Sequence, residues 1–456
     1  MRSGSWVANN NQIQILSHMA KKSTNLVAVI TMFFLFAMIA FVTNMAAPVG
    51  NIWTMDDAVG NNPALGFMGN FMNFLAYLFM GIPAGNMLTK VGYKKTALIA
   101  IAVGVVGLLV QYLSGFSSGV PGFCIYLLGA FVCGLCVCML NTVVNPMLNL
   151  IGGGGTKGNQ LLQLGGACNS LAGTIAPIMV GSFVGAITKS TKIIEVSPML
   201  FGAIAIFVVA FIIIYFVKIE EPHQRKADAA AKKDEHSPWS FRHFVLGAIA
   251  IFCYVGMEVG IPNTFGNFLG KEVNFNLFDP ANSANAAAII GGMTGLYWLL
   301  MLVGRLTSSF ISGKISSRVQ LLAVSCCGLV LVLISMLVPA TTGVSMVGFS
   351  NGSFAINNVP LFTVFLVLMG LCTSIMWGCI FNLATEGLGK YTEKASGIFM
   401  MMVVGGGILP LIQNSIVGTT MASLRISYVI VIAVLVYMVF YALIGSKNVN
   451  KDIPVE

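Results

Sequence analysis

Charge is what this chain has least of. Of its 456 residues, 9% are Asp, Glu, Lys or Arg and 57% are hydrophobic, whereas soluble domains carry about 25% charged residues. A water-exposed surface cannot be built from that supply, which excludes a soluble globular protein. Histidine is scarce too: His18, His223, His236 and His243 are the full set. None lies deep in an apolar run, so a buried imidazole proton relay is excluded. Strand-like alternation of apolar and polar residues is missing, which argues against a membrane β-barrel. No cluster of side chains has the makings of a catalytic centre, and neither a metal nor a cofactor is expected. The ten cysteines all fall in apolar runs. Cys133 and Cys136 form a C-x-x-C there, but no neighbours complete a set of four zinc ligands, so they read as packing residues.

Long apolar runs are what the chain does have. Twelve are long enough to cross a hydrocarbon core roughly 30 Å thick. They cover about 25–49, 64–88, 96–115, 121–150, 161–188, 197–218, 243–270, 284–311, 319–340, 358–386, 395–420 and 424–446. The expected fold class is an all-α polytopic membrane protein. Residues 1–24 are polar, with Arg2, Lys21 and Lys22 and no acids, and lack the pattern of a cleaved signal. With that end inside, the cytoplasmic segments hold 19 of the 24 Lys and Arg; Lys189, Lys192, Lys271 and Arg425 fall outside, and Arg305 within a span. This is the positive-inside pattern. It puts both termini in the cytoplasm and makes the net charge of +9 a report of topology rather than of a nucleic-acid partner.

The one long charged stretch, "KIEEPHQRKADAAAKKDEHSPWS", divides the runs six and six. The expected organisation is an N-terminal segment 1–24, a six-helix bundle 25–218, a cytoplasmic linker 219–242, a second bundle 243–446 and a tail 447–456. Internal repeats agree. "GTIAP" places Gly173 four residues before Pro177, and "GGILP" places Gly406 four before Pro410, in the fifth run of each half. Short basic loops follow the second run (Lys90, Lys94, Lys95) and the eighth (Lys314, Arg318). Two similar bundles suggest a transporter with its solute between them. The stretch "IGGGGTKGNQ" formally contains G-x-G-x-x-G at Gly153, Gly155 and Gly158. It follows a membrane helix with no βαβ unit to present a pyrophosphate, so it reads as a flexible turn.

Several motifs carry a resemblance. "GIPAGNMLTKVGYKK" (81–95), "NTVVNPMLNLIG" (141–152), "CNSLAGTIAP" (168–177), "YVGMEVGIP" (254–262), "YWLLMLVGR" (297–305) and "GLGKYTEKASG" (387–397) run in order along most of the chain. Together they resemble the fucose–galactose–hexose proton symporter group of the major facilitator superfamily. The resemblance implies two pseudo-symmetric six-helix bundles and transport of a sugar or related polyhydroxylated solute through the cytoplasmic membrane, by a monomer in contact with lipid. It also implies that helices one, four, seven and ten line the cavity. Two departures stand out: where that group usually keeps an acid in helix one, this chain has Asn44, and where it keeps a glutamate in helix four, this chain has Asn141. The glutamine expected three positions before Asn169 is Gly166, with Gln163 one turn earlier. Proton symport, sodium coupling and uniport therefore all stay open.

The candidate substrate-binding residues are Asn44, Asn141, Asn145, Asn169, Tyr254, Glu258, Asn263, Trp377 and Asn382. Amides offer donors and an acceptor to hydroxylated ligands, and also serve to hold membrane helices together. Tyr254 and Trp377 could face the apolar side of a sugar ring, or pack. Glu258 is the one carboxylate well inside a run. It is the candidate proton-coupling site, or else a hydrogen-bonded structural acid, since charge inside a bilayer costs roughly 2.5–3.5 kcal/mol on insertion scales. Gly92, Lys94, Arg305, Gly406 and Pro410 are the candidate gating and structural residues; Arg305, at the cytoplasmic end of its run, could snorkel outward, and its expected role is structural, holding the inner gate or topology. Glu386 reads as a gate or helix-end partner. Alternatives of function are transport of another small metabolite or amino-sugar derivative, and a non-transporting nutrient sensor.

Overall fold

The computed structural model describes residues 26–45, 49–50, 52–53, 59, 65, 67–184, 192–217, 236–269, 286–339, 341–350, 353–418, 420–450 and 452–455. The expected N-terminal segment, most of the charged linker, Lys189 and Lys271 lie outside the described residues.

Apolar runs in this chain become helices because a chain surrounded by lipid must satisfy its backbone internally. The first half holds α1 (Leu26–Met45), α2 (Met68–Ser114), α3 (Gly119–Ile151), α4 (Gly155–Val184) and α5 (Ser197–Phe216). The second holds α6 (Arg242–Leu269), α7 (Ala286–Ile311), α8 (Ser317–Leu337) and α9 (Leu361–Thr373). After these come α10 (Met376–Thr385), α11 (Thr392–Met401), α12 (Gly405–Ile416) and α13 (Met421–Phe440). Ten stretches among the described residues are long and apolar enough to cross a membrane. Phe216, Phe310 and Leu337 stand exposed on the outside, as a lipid-facing surface permits.

Three boundaries differ from the sequence reading. The second and third runs join in α2, whose 47 residues would reach about 70 Å if straight, twice a bilayer core. The chain turns at Gly92, where φ is 85° and ψ 174°, a backbone conformation that residues with a Cβ rarely adopt. The tenth run is broken into α9 and α10 at Ser374–Ile375. The eleventh is interrupted by a 3₁₀ turn at Met402–Val404, just before three consecutive glycines. A β-hairpin also appears where only a loop and the start of a helix were expected: β1 (Gly343–Ser350) pairs antiparallel with β2 (Ser353–Pro360), Ser350 opposite Ser353. Asn351-Gly352 between them is the dipeptide most favoured in two-residue hairpin loops.

The repeat noted in sequence has a spatial counterpart. A Cβ added to Gly173 of α4 would meet Asn44 Nδ2 of α1 at 2.9 Å, and one added to Gly406 of α12 would meet Val255 Cγ1 of α6 at 2.7 Å. Each glycine thus lets the fifth run of its half lie on that half's first helix.

One end of the bundle gathers the basic loops. Lys94 Nζ donates to the carbonyls of Tyr215 and Val217 at the end of α5, a favourable place for a cation at a helix C-terminus. Arg318 Nε donates to Ser446 Oγ, and the Arg242 N–H to Asn450 Oδ1. The glycine turn joins this end through Gly153 to Gly155, all with φ between 55° and 75°. The β-hairpin marks the opposite end.

Candidate functional site

The break between α9 and α10 organises the centre of the molecule. Interrupting the helix frees carbonyl oxygens that must find other donors. Ser374 O accepts from Arg305 Nε at 3.1 Å, and Ile375 O, which still takes the Cys379 N–H, also accepts from Gln163 Nε2 of the other half at 2.9 Å. Immediately beyond the break, Trp377 Nε1 donates to Asn145 Oδ1 at 2.8 Å. That bond joins α10 of the second half to α3 of the first.

Around it lies a connected polar and aromatic cluster. Asn145 Nδ2 donates to Asn141 O at 2.8 Å, and Asn141 Nδ2 donates to Tyr77 Oη at 2.7 Å. The fourth-residue spacing puts both asparagines on one face of α3; Pro146 beside them sits within the helix. Trp377 packs against Tyr254 at 6.4 Å between ring centroids and edge-on against Phe399 at 6.0 Å. Tyr254 is fully buried. Its hydroxyl lies beside the Glu258 carboxylate yet closes no hydrogen bond of ordinary geometry among the described residues.

One turn along α6 from Tyr254, Glu258 Oε1 accepts from Arg305 Nη2 at 3.1 Å. Here the structure corrects an expectation. Arg305 does not snorkel outward: it is 7% exposed, and its guanidinium bonds four groups in all. Besides Glu258 and Ser374, its Nη1 reaches Gly166 O at 3.0 Å and Ser170 Oγ at 2.6 Å in α4 of the other half. A planar guanidinium with five donors satisfies such a set where an ammonium could not.

Of the other expected ligands, the structure places Asn44 and Asn263 with their side-chain amides on their own helix, donating to Ala40 O and Val259 O. Asn169 Nδ2 donates to Phe36 O, tying α4 to α1. Asn382 is turned away from the cluster and donates to Ser317 Oγ at the start of α8, so it holds the basic end together. Pro410 is buried in α12. A Cβ on Gly406 would meet Phe74 of α2 at 2.8 Å as well as Val255, so α12 is wedged between the halves. Glu386 takes the helix-end place expected of it, as the residue closing α10, and its carbonyl faces His243 Nε2 at 2.9 Å.

Sequence reasoning missed Tyr77, Phe399, Ser170 and Ser374. Only Tyr77 left a trace, as a lone hydroxyl in the apolar "FLAYLF"; the rest become visible only when two distant segments meet.

Residues 32–411 match the family described as Major Facilitator Superfamily. The chain is 31% identical over 384 residues to the glucose/galactose transporter of Brucella abortus biovar 1, covering 83% of this chain and 84% of that one. It is 21% identical over 359 residues to the L-fucose-proton symporter of Escherichia coli, covering 74% and 75%. Its fold matches the crystal structure of a Major Facilitator Superfamily transporter, FucP, in the outward conformation, with TM-score 0.65 and 19% identity over 91% of this chain and 99% of that one. A chain of two repeated helical bundles, joined at a polar and aromatic seam and matched along most of its length, belongs to the Major Facilitator Superfamily, in the group that includes these glucose/galactose transporters.

Proposed function

We propose that the chain is a monomeric sugar permease of the cytoplasmic (inner) membrane, working by alternating access between its two halves. In this reading α2 counts as two spans and α4 as one, giving twelve, with both termini in the cytoplasm. The observation that carries it is the Trp377–Asn145 bond across the seam, beside a broken helix and flanked by Asn141, Tyr77 and Tyr254. Amides able to donate and accept match hydroxyl groups, and an aromatic face matches the apolar C–H side of a hexose. Opening the seam on one side would expose those groups to solute. The names of the relatives point the same way.

A thermal-shift series on purified protein tests ligand class. Glucose, galactose or fucose at millimolar concentration should raise Tm, because a ligand that binds only the folded state stabilises it by mass action. A shift with amino sugars alone would move the substrate to that class. A shift with no hexose and no amino sugar would sink the reading, and binding without flux would turn it into a sensor.

The close approach at Gly406 has its own test. Gly406→Leu should insert and purify normally yet slow transport at least several-fold, because a Cβ there already crowds Val255 and Phe74 of opposite halves. Wild-type turnover would show that α12 does not need that close approach.

A further inference from the structure

A carboxylate carried through a conformational cycle in a low-dielectric interior has to be neutralised, by a proton or by a fixed cation. Glu258 is buried, and it is the one carboxylate among the described residues within the middle of a helix; Glu386 and Glu393 sit at helix ends. The titratable and charged side chains that face it are Arg305 and Tyr297 from α7 and Tyr254 from its own helix. The neighbouring helices contribute neutral groups there: Ser170 and Gly166 from α4, and Ser374 and Thr373 at the α9–α10 break. The polar residues at the seam from α3, Asn141 and Asn145, are amides with no charge to neutralise, and Asn44 of α1, where an acid was expected, is an amide bonded to its own helix.

From this arrangement we propose that Arg305 is a built-in counter-cation that takes the place of a co-transported proton, making the protein a uniporter; the inference rests on the sugar-permease reading. The bonds of Arg305 divide in a way that suits the role. Those to Glu258 and Ser374 stay within the second half, while those to Gly166 and Ser170 cross to the first. When the halves part, the two crossing bonds break and the neutral Glu258–Arg305 pair moves as a unit with its own half. No proton need enter or leave to reset it. Arg305 is thus a positioning residue, acting through Glu258 and the seam, and sugar contact is not required of it.

Removing the cation should create the need for the proton. In Arg305→Met, the Glu258 carboxylate loses its partner, and a proton from bulk water must bind one of its oxygens before the halves can move. Counterflow of labelled glucose, galactose and fucose in proteoliposomes, from about pH 5.5 to about pH 8, tests this together with the pH change outside the vesicles on sugar addition. Wild type should show flux nearly flat with pH and no sugar-driven proton uptake. R305M should lose at least about tenfold of its acid-side flux by the alkaline end. In the double variant E258Q/R305M the flux, whatever its size, should be flat again. Sugar-driven proton uptake by wild type, or a wild-type pH profile in R305M, would overturn the proposal. If R305M does not purify as a folded protein, the wild-type proton measurement decides alone. Absence of counterflow for every sugar in wild type is a separate failure, that of the permease reading, and takes this inference with it.

Discussion

Sugar affinity in a Trp377→Ala variant is expected to fall about 10- to 100-fold, with folding intact. The indole combines two contributions at one place. Its ring lies among Tyr254 and Phe399, and its N–H satisfies Asn145 Oδ1. In the opened seam the ring can face the sugar, a contact of about 0.5–1.5 kcal/mol beyond area burial, and the indole N–H can donate to a sugar hydroxyl, a hydrogen bond of about 0.5–1.5 kcal/mol net. Together these correspond to roughly one to two powers of ten in affinity. Trp377→Phe separates the two contributions: it keeps a ring and loses the donor, so it should retain a substantial part of the affinity. Concentration dependence of uptake by the two variants measures the split. Equal affinity in W377A and wild type would remove Trp377 from the site.

Gly397→Leu is expected to abolish transport. Gly397 opens α11 onto α2 across the seam. A Cβ there would lie 2.5 Å from Gly81 O and 2.7 Å from Gly85 Cα, and one on Gly81 would lie 2.5 Å from Met401 N. These are backbone atoms, so no side chain can swing aside. Overpacking costs about 1–3 kcal/mol where a core can adjust, and here the relief available is to separate the halves. The Ser396 Oγ to Thr142 O bond one residue away would be lost with it. The variant should populate a state opened along this contact. A cysteine placed at Ala84, buried in the same stretch of α2, should react with a membrane-impermeant thiol reagent in G397L and stay protected without it. Normal flux in G397L would show that the halves do not need this close approach.

Much of the fold was legible because the bilayer enforces a simple rule. A run of some twenty apolar residues has one stable conformation in lipid, so most span positions and the Gly173/Gly406 repeat could be read. What could not be read were interruptions inside spans. The break at Ser374–Ile375 has no proline or glycine within it; the side chains that bond its two carbonyls, Arg305 and Gln163, lie 69 and 212 residues away. For the same reason Arg305 read as a snorkelling end residue: a lone arginine near the end of a run carries no mark of the four groups awaiting it in the packed molecule. The hairpin at 343–360 was missed for another reason. Residues 343–357 lie between two apolar runs, and 358–360 merge with the start of the tenth.

For the site, residue type carried the reading part of the way. Asn141, Asn145, Tyr254, Glu258 and Trp377 do converge. Asn382 does not, since a position next to Phe381 on α10 turns it towards Ser317. Spacing along one helix tells which residues share a face, but which partner that face meets is settled only by packing between distant helices.

In the proposed cycle the two halves pass a sugar between them. Counterflow in proteoliposomes tests it most directly: vesicles loaded with unlabelled hexose are diluted into a trace of the same hexose labelled, with no ion gradient imposed. Label is expected to accumulate transiently inside, an effect abolished in G397L and shifted to higher sugar concentration in W377A. No accumulation with glucose, galactose, fucose or an amino sugar, from protein shown to be folded, would contradict it.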